Sequence, residues 1–526
     1  MMVIHSLLTS LKPFRFFRVG AACFSAAALM LYLHGADEPP LPPGLGEPPD
    51  VVKRDSTPPN EGLGDPGEEA SGAPTLPEGL GALSEDHSKS DAGDGSSELP
   101  DGLGGGDSRG DQDAFDNTKG ETAKPSLLDH LPFYPSGFAE LRYGRRLQQD
   151  PNQDQATVPE ARWQLSLDGR SNGLGYRLTG DFLYNAQFPS HAIDLRRGTG
   201  WVDLREARVD ARPASFLDVK AGRMIATWGT GDLLFLNDLF PKDWRSFLLG
   251  RDVEYLKAPT QGVRAQGYFD WVNLDVLVNP QFAPDRFIDG RQVSFYDPAS
   301  GGLIGRNRAL DADIPKGAEL HARAHRTFGS TEVALYFYDG YWKSPGGRDR
   351  QGRAVFPDLR AWGGSIRGNA LGGIAHAEFS FYDSREDRDG TDPLINNRQM
   401  RYLIGYEREL MPDFTGGVQA YVEQKLDFGD YRENLPPGFP EDDEYRTVLT
   451  LRLTRLLLLQ TLELSSFIFY SPTDEDWYWR PSASYKIDDR WTFSAGAGLF
   501  GGKNRNTFYS QFRDNSNAWV ALRFGY

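Results

Sequence analysis

The chain has 526 residues, 39% of them hydrophobic, with 58 Gly, 35 Pro, 65 aromatic residues and a formal net charge of −17; its mean hydropathy is −0.52. A composition this aromatic and this polar is not that of stacked cytosolic enzyme domains. The single cysteine, Cys23, lies near the N-terminus, which excludes disulfide frameworks, thiolate metal sites and covalent haem from everything after it. No run approaches the roughly 18 consecutive apolar residues of a membrane-spanning helix.

Charge divides the chain. Residues 1–36 carry Lys12, Arg15 and Arg18 and no acid; residues 37–132 carry 22 acids against 6 bases. The acidity therefore belongs to one segment, and nucleic-acid binding has no support. In residues 1–36 a basic region precedes an apolar run, Gly20–Leu33, and the small residues Gly35 and Ala36. This is the order of a secretory signal peptide. His34 stands where a small residue is preferred before cleavage, so an uncleaved anchor remains an alternative.

Residues 37–132 are rich in Pro, Gly, Asp, Glu and Ser and hold too few aromatics to offset ordering entropy, so a disordered acidic tether is expected, placed in the periplasm. A short word recurs there, Leu-Pro-x-Gly-Leu-Gly or its shortened form, centred on Leu45, Leu63, Leu80 and Leu103. One reading is drift in low-complexity sequence. The other is a set of docking motifs for a periplasmic or inner-membrane transport partner, with avidity from repetition. Extended at about 3.1 Å per residue, the tether reaches almost 300 Å.

From residue 133 the pattern becomes period-two alternation in segments of about ten residues, separated by turn-forming residues. Strands are expected near 137–147, 160–171, 174–184, 201–212, 216–226, 261–269, 271–279, 317–327 and 331–339. They continue near 359–369, 373–383, 398–409, 414–424, 445–455, 460–471, 477–486, 490–500 and 516–526. Short connections such as Ser171–Gly173, Phe328–Ser330 and Ala370–Gly372 alternate with long ones such as 227–260, 280–316 and 425–444. An even count near 18, with tight turns at one end and long loops at the other, is the rhythm of an all-β, transmembrane antiparallel barrel of the outer membrane. Closure follows because lipid offers no hydrogen bonds to an exposed strand edge.

The last strand alternates Leu522, Phe524 and Tyr526 with Arg523 and Gly525, resembling the terminal strand that the barrel-assembly machinery recognises by strand addition. Aromatics at expected strand ends, among them Tyr143, Tyr184, Trp201, Trp271, Tyr338, Trp342 and Trp491, suit interfacial girdles against outer-membrane lipid.

About 18 strands leave room for an aqueous channel, so inward-folding loops would control passage. The apolar and aromatic content of 227–260 points to such a loop, with Trp228, Asp232, Trp244 and Arg245 as its candidate residues. Alternation places Arg162, Asp168, Glu206, Arg208, Asp210, Glu319, Arg323, Arg401, Glu407, Arg446 and Arg452 on the pore-lining face. Both signs are present, so either a neutralised wall or a translocation ladder fits. His321 and His325 share a face but stand about 13 Å apart in a strand, too far for one metal. His376 and Glu378 also share a face and read mainly as polar wall. No nucleophile elbow, Walker loop or haem motif has a supporting context, so no enzyme, cofactor or metal is expected.

Ala221-Gly222-Arg223-Met224 leading to Thr227-Trp228-Gly229-Thr230-Gly231-Asp232, then Gln261-Gly262-Val263-Arg264, resembles the large porin-like outer-membrane barrels of Gram-negative bacteria, broadly similar to alginate-export barrels. Some of that group work beside inner-membrane pumps of the resistance-nodulation-division type. The resemblance covers roughly residues 135–526 and implies transport of a small organic solute, hydrophobic or lipid-like ones included. Two other readings stay open: a sheath holding a multihaem cytochrome as an electron conduit, and a structural tether of the envelope.

Overall fold

The computed structural model describes residues 134–188 and 192–526. The signal peptide, the tether and its four repeat leucines Leu45, Leu63, Leu80 and Leu103 lie outside the described residues, as do His130 and His191. Eighteen strands form one closed antiparallel sheet. In chain order they are β1 (Tyr134–Arg146), β2 (Glu160–Ser171), β3 (Leu174–Asn185), β4 (Val202–Ala214), β5 (Leu217–Met224) and β6 (Thr260–Tyr268). Then come β7 (Asn273–Asn279), β8 (Glu319–Phe328), β9 (Thr331–Tyr341), β10 (Asp358–Ala370), β11 (Gly373–Ser384) and β12 (Gln399–Met411). The last six are β13 (Phe414–Lys425), β14 (Tyr445–Leu457), β15 (Leu462–Ser471), β16 (Asp476–Lys486), β17 (Trp491–Gly502) and β18 (Asn517–Gly525). Each pairs with the next, and β18 closes on β1 with Phe138 opposite Gly525. All 18 expected strands are present.

Eight connections at one end have two to four residues. The β2–β3 turn shows why they close tightly: Asn172 and Gly173 both take positive φ, 52° and 78°, the pair that matches the twist of a hairpin. Connections at the other end run up to 39 residues, between β7 and β8. One departs from the expected rhythm: β15 and β16 are joined by only four residues at the long-loop end.

The outer face is apolar around the circumference. Leu335, Ile404 and Val418 are 60%, 63% and 52% exposed at mid-strand, a surface that lipid covers. Tyr143, Tyr184, Trp201, Trp271 and Trp491 are exposed at strand ends, where girdles sit. Tyr338 and Trp342 are not among them. Both are buried inside, Tyr338 bonded to Glu319 and Trp342 packed on Tyr382, because Tyr338 falls on the inward phase of β9 and the chain after it turns inward.

The core is in the lumen. Every one of the 18 strands contributes a buried inward side chain, among them Asp181 on β3, Leu277 on β7, Tyr382 on β11, Val448 on β14, Tyr478 on β16 and Asn517 on β18. Eighteen strands about 4.8 Å apart and tilted about 40° enclose a wall roughly 35 Å across, too wide for opposite walls to meet. Loops fill the space between.

Candidate functional site

The main filler is the 225–259 connection between β5 and β6. Its apolar run folds inward as a short helix, α1 (Trp244–Leu249), with Phe247, Leu248 and Leu249 buried. Burying each such side chain is worth about 1.5–3 kcal/mol, which drives the segment out of water. Asp243 caps α1 by accepting from Ser246 N at 3.1 Å. The barrel wall satisfies the other end: Tyr478 Oη donates to Phe247 O at 2.7 Å and Asn517 Nδ2 to Leu248 O at 3.2 Å.

Beyond α1 the segment is held by charge. Arg142 donates to Gly250 O and pairs with Glu140 and Asp252, while Arg251 grips Glu160 through two guanidinium nitrogens. Arg523 bridges Glu140 and Asp252 from β18. The Tyr255 ring lies under Arg162 at 4.0 Å and Arg205 at 4.9 Å. A bulge on β4 places Arg205 inward beside Glu206, so that it donates to Lys257 O at 2.8 Å.

A second strap, residues 280–318, is tied to the first by Arg286. Its guanidinium reaches Asp203 on β4 at 2.6 and 2.8 Å and Asp243 ahead of α1 at 3.4 Å. Glu319 pairs with Lys343 and accepts from Tyr338 at 2.7 Å. His321 stacks on Phe240 at 4.4 Å, and His325 faces Glu332 at 3.5 Å.

The remaining residues of the pore-lining set are also in pairs. Arg162 meets Asp181; Asp168 accepts from Arg177 at 2.5 Å; Arg208 holds Glu206 at 3.3 Å and also Asp210. Arg323 reaches Glu332 at 2.6 Å, Glu407 accepts from Arg367 at 3.2 Å, Arg401 meets Glu423 at 3.4 Å and Arg446 meets Asp474 at 2.6 Å. Arg452 donates to Asp232 at 3.0 Å. Arg480 instead lies over the rings of Phe247 and Tyr478.

Of the loop residues singled out in the sequence, Trp228 is buried edge-on to Phe240 and donates to Asp275 at 3.3 Å. Trp244 donates to Asp285 at 2.9 Å, and Arg245 pairs with Asp243 at 3.2 Å. Asp232 differs. With Leu233, Leu234 and Phe235 it is half-buried, and it lies against Gln419 of β13 and Arg452 of β14. Asp232 and Arg452 keep 28% and 25% of their side-chain surface exposed, so water reaches this pair while it does not reach α1. Leu522 faces outward, Phe524 packs on Trp491, and Tyr526 Oη donates to Gln164 O at 2.8 Å across the seam.

Sequence reasoning did not single out Arg142, Arg205, Arg251, Tyr255, Arg286 or Arg523, and it read Glu378 only as polar wall beside His376. Alternation marks Arg142, Glu378 and Arg523 as inward; nothing local marks Arg205, which faces inward only because of the bulge.

No family model matches the chain, and no curated protein does. Among solved structures the chain is similar to Pseudomonas aeruginosa OccK11 (OpdR), at 11% identity over 74% of this chain and 95% of that one, with a TM-score of 0.43. It is similar to Acinetobacter baumannii OccAB4 at 8% identity over 76% and 100%, TM-score 0.47. A triple mutant of the Rhodopseudomonas blastica porin matches at 8% identity over 75% and 100%, TM-score 0.35.

Proposed function

We propose that the chain is a bacterial outer-membrane passage barrel, kept narrow by its own 225–259 segment, for a small polar or charged solute. The observation that carries this is the inner wall itself: among the inward side chains that stay half-buried rather than sealed are the ion pairs Asp232–Arg452, Asp168–Arg177, Glu332–Arg323 and Glu407–Arg367, beside uncharged polar groups such as Gln164, Ser484 and Ser494. Paired charges offer exchangeable partners to a polar solute and a desolvation barrier to an apolar one. This favours a polar cargo over the lipid-like one that the alginate-export resemblance implied, although membership of that group is part of the proposal. The filled lumen also argues against an electron-conduit sheath, since a multihaem cytochrome needs the volume that α1 and both straps occupy.

In this reading the short turns face the periplasm and, with an even strand count, both barrel ends lie there. Residues 1–36 direct export and residues 37–132 extend into the periplasm. The repeat leucines dock a transport partner, and Leu522, Phe524 and Tyr526 engage the assembly machinery.

The test is single-channel recording in planar bilayers of the intact barrel and of one lacking residues 226–256. The intact barrel is expected to give small or infrequent steps and the shortened one large, steady steps. A shortened barrel that migrates as folded on unheated gels yet stays silent would overturn the reading.

A further inference from the structure

Glu378, midway along β11, is a buried carboxylate, 5% exposed, with no Lys, Arg or His within ion-pair distance among the described residues. An isolated charge there is expensive unless hydrogen bonds replace its water. Its four donors all come from residues 230–237. Thr230 N, Thr230 Oγ1 (2.8 Å) and Gly231 N (3.0 Å) converge on Oε1, and Asn237 Nδ2 donates to Oε2 at 2.9 Å. The next amide, Asp232 N, donates to Gln419 on β13 at 2.8 Å. Three successive backbone N–H groups thus form a concave, partly positive nest around acceptors of the wall. Gly229 makes this possible: it takes φ +89°, and a Cβ there would stand 3.2 Å from Glu378 Oε1.

We infer that this carboxylate-in-nest contact is the latch of the passage: Glu378 positions the tip formed by residues 229–237, and its release widens the path beside Asp232 and Arg452. The inference rests on the channel reading above and deepens it. Two features separate the tip from the rest of the strap. The α1 half is held by buried aromatic and aliphatic side chains, which lose heavily on exposure to water, and by ion pairs to the wall whose withdrawal would leave a buried charge such as Glu160 unpaired. The tip buries less apolar surface: of its side chains only Leu236 is sealed in the α1 cluster, while Leu233, Leu234 and Phe235 pack against that cluster half-buried. Glu378 and the nest amides are groups that water can serve in turn. An anchor that trades protein donors for water at modest cost is suited to opening and closing. Leu233, at φ +58°, and Gly229 bracket the nest with left-handed backbone, where a small rotation swings the tip.

The test uses the full barrel in planar bilayers, with chloride or formate as the anion at equal ionic strength. Glu378→Ala leaves Thr230 N, Thr230 Oγ1 and Gly231 N without their acceptor and Asn237 Nδ2 with Phe379 O alone, and formate fits the place of the lost carboxylate. The expected result is an open fraction about tenfold or more above the unaltered protein in chloride, returning toward the unaltered value in formate. Glu378→Asp should retain part of the closure. If Glu378→Ala fails to fold, Asn237→Asp sets a second carboxylate against Glu378 from the tip side and should open the passage likewise. The latch is wrong if folded Glu378→Ala matches the unaltered protein while the barrel lacking 226–256 conducts. It is also wrong if the variant opens equally in formate and chloride, which a merely structural role would produce. Silence of the shortened barrel as well would instead bring down the channel reading.

Discussion

Asp232 and Arg452 face each other in the half-buried part of the lumen, and the sign of the charge left there should set ion preference. Asp232→Asn removes the carboxylate to which Arg452 donates, so the reversal potential in a KCl gradient is expected to move toward anion preference. Arg452→Gln should move it the other way; equal potentials in both variants would place the selective step elsewhere. A second residue ties seating of the strap to pH. Burial pushes the Lys257 ammonium from its ordinary value of 10.5 down to about 8; Asp238 opposes the shift and Lys242 adds to it. Between about pH 8 and 10.5 the seated lysine is neutral while a released one is still charged, so the seated form binds fewer protons. Raising the pH through that window therefore favours the seated strap. The strap transition in thermal melts is expected to rise from about pH 7.5 to 9.5, and Lys257→Met should flatten that slope.

Among the elements, the two inward straps meet through backbone and Asp285 hydrogen bonds and through one buried cation. Arg286 serves Asp203 on the wall and Asp243 at the start of α1, all three buried. Arg286→Met would leave two buried carboxylates facing an apolar side chain, at a cost of about 3–5 kcal/mol. The loss is expected in thermal melts followed by tryptophan fluorescence, since Trp244 and Trp228 sit in the first strap. The wall itself should persist to a higher temperature in far-ultraviolet dichroism. A single transition shifted equally in both signals would mean that straps and wall unfold as one unit. The β4 bulge shows how little separates a seated strap from a loose one. One extra residue turns Arg205 inward without displacing Glu206 from the same face, which lets the wall hold Lys257 O while Glu206 still meets Arg208.

For the whole molecule, the strand count, the alternation of short and long connections and the inward set could all be read along the chain. Leu449, Leu451 and Leu453 face out and Arg446 and Arg452 face in because neighbouring side chains on a strand point to opposite faces. That property is local, so local sequence determines it. An even number of strands likewise brings Tyr134 and Gly525 together at one rim before any contact is known. What fills the lumen is decided otherwise. Glu378 meets Thr230 across 148 positions and Tyr478 meets Phe247 across 231. Such partners are set by barrel diameter, strand tilt and the length of one connection, none of which leaves a periodic trace. Tyr338 reads as an interfacial aromatic by its place near a strand end, yet lies inside, because its phase along β9 points it toward Glu319. The sequence by itself determined a closed wall, its lipid face and the residues turned inward, since these follow from a period of two and from the need to pair every edge. Only the tertiary structure decided that the lumen is filled, where water still reaches it and which carboxylate holds the tip, because each of these requires residues far apart in the chain to converge on one point.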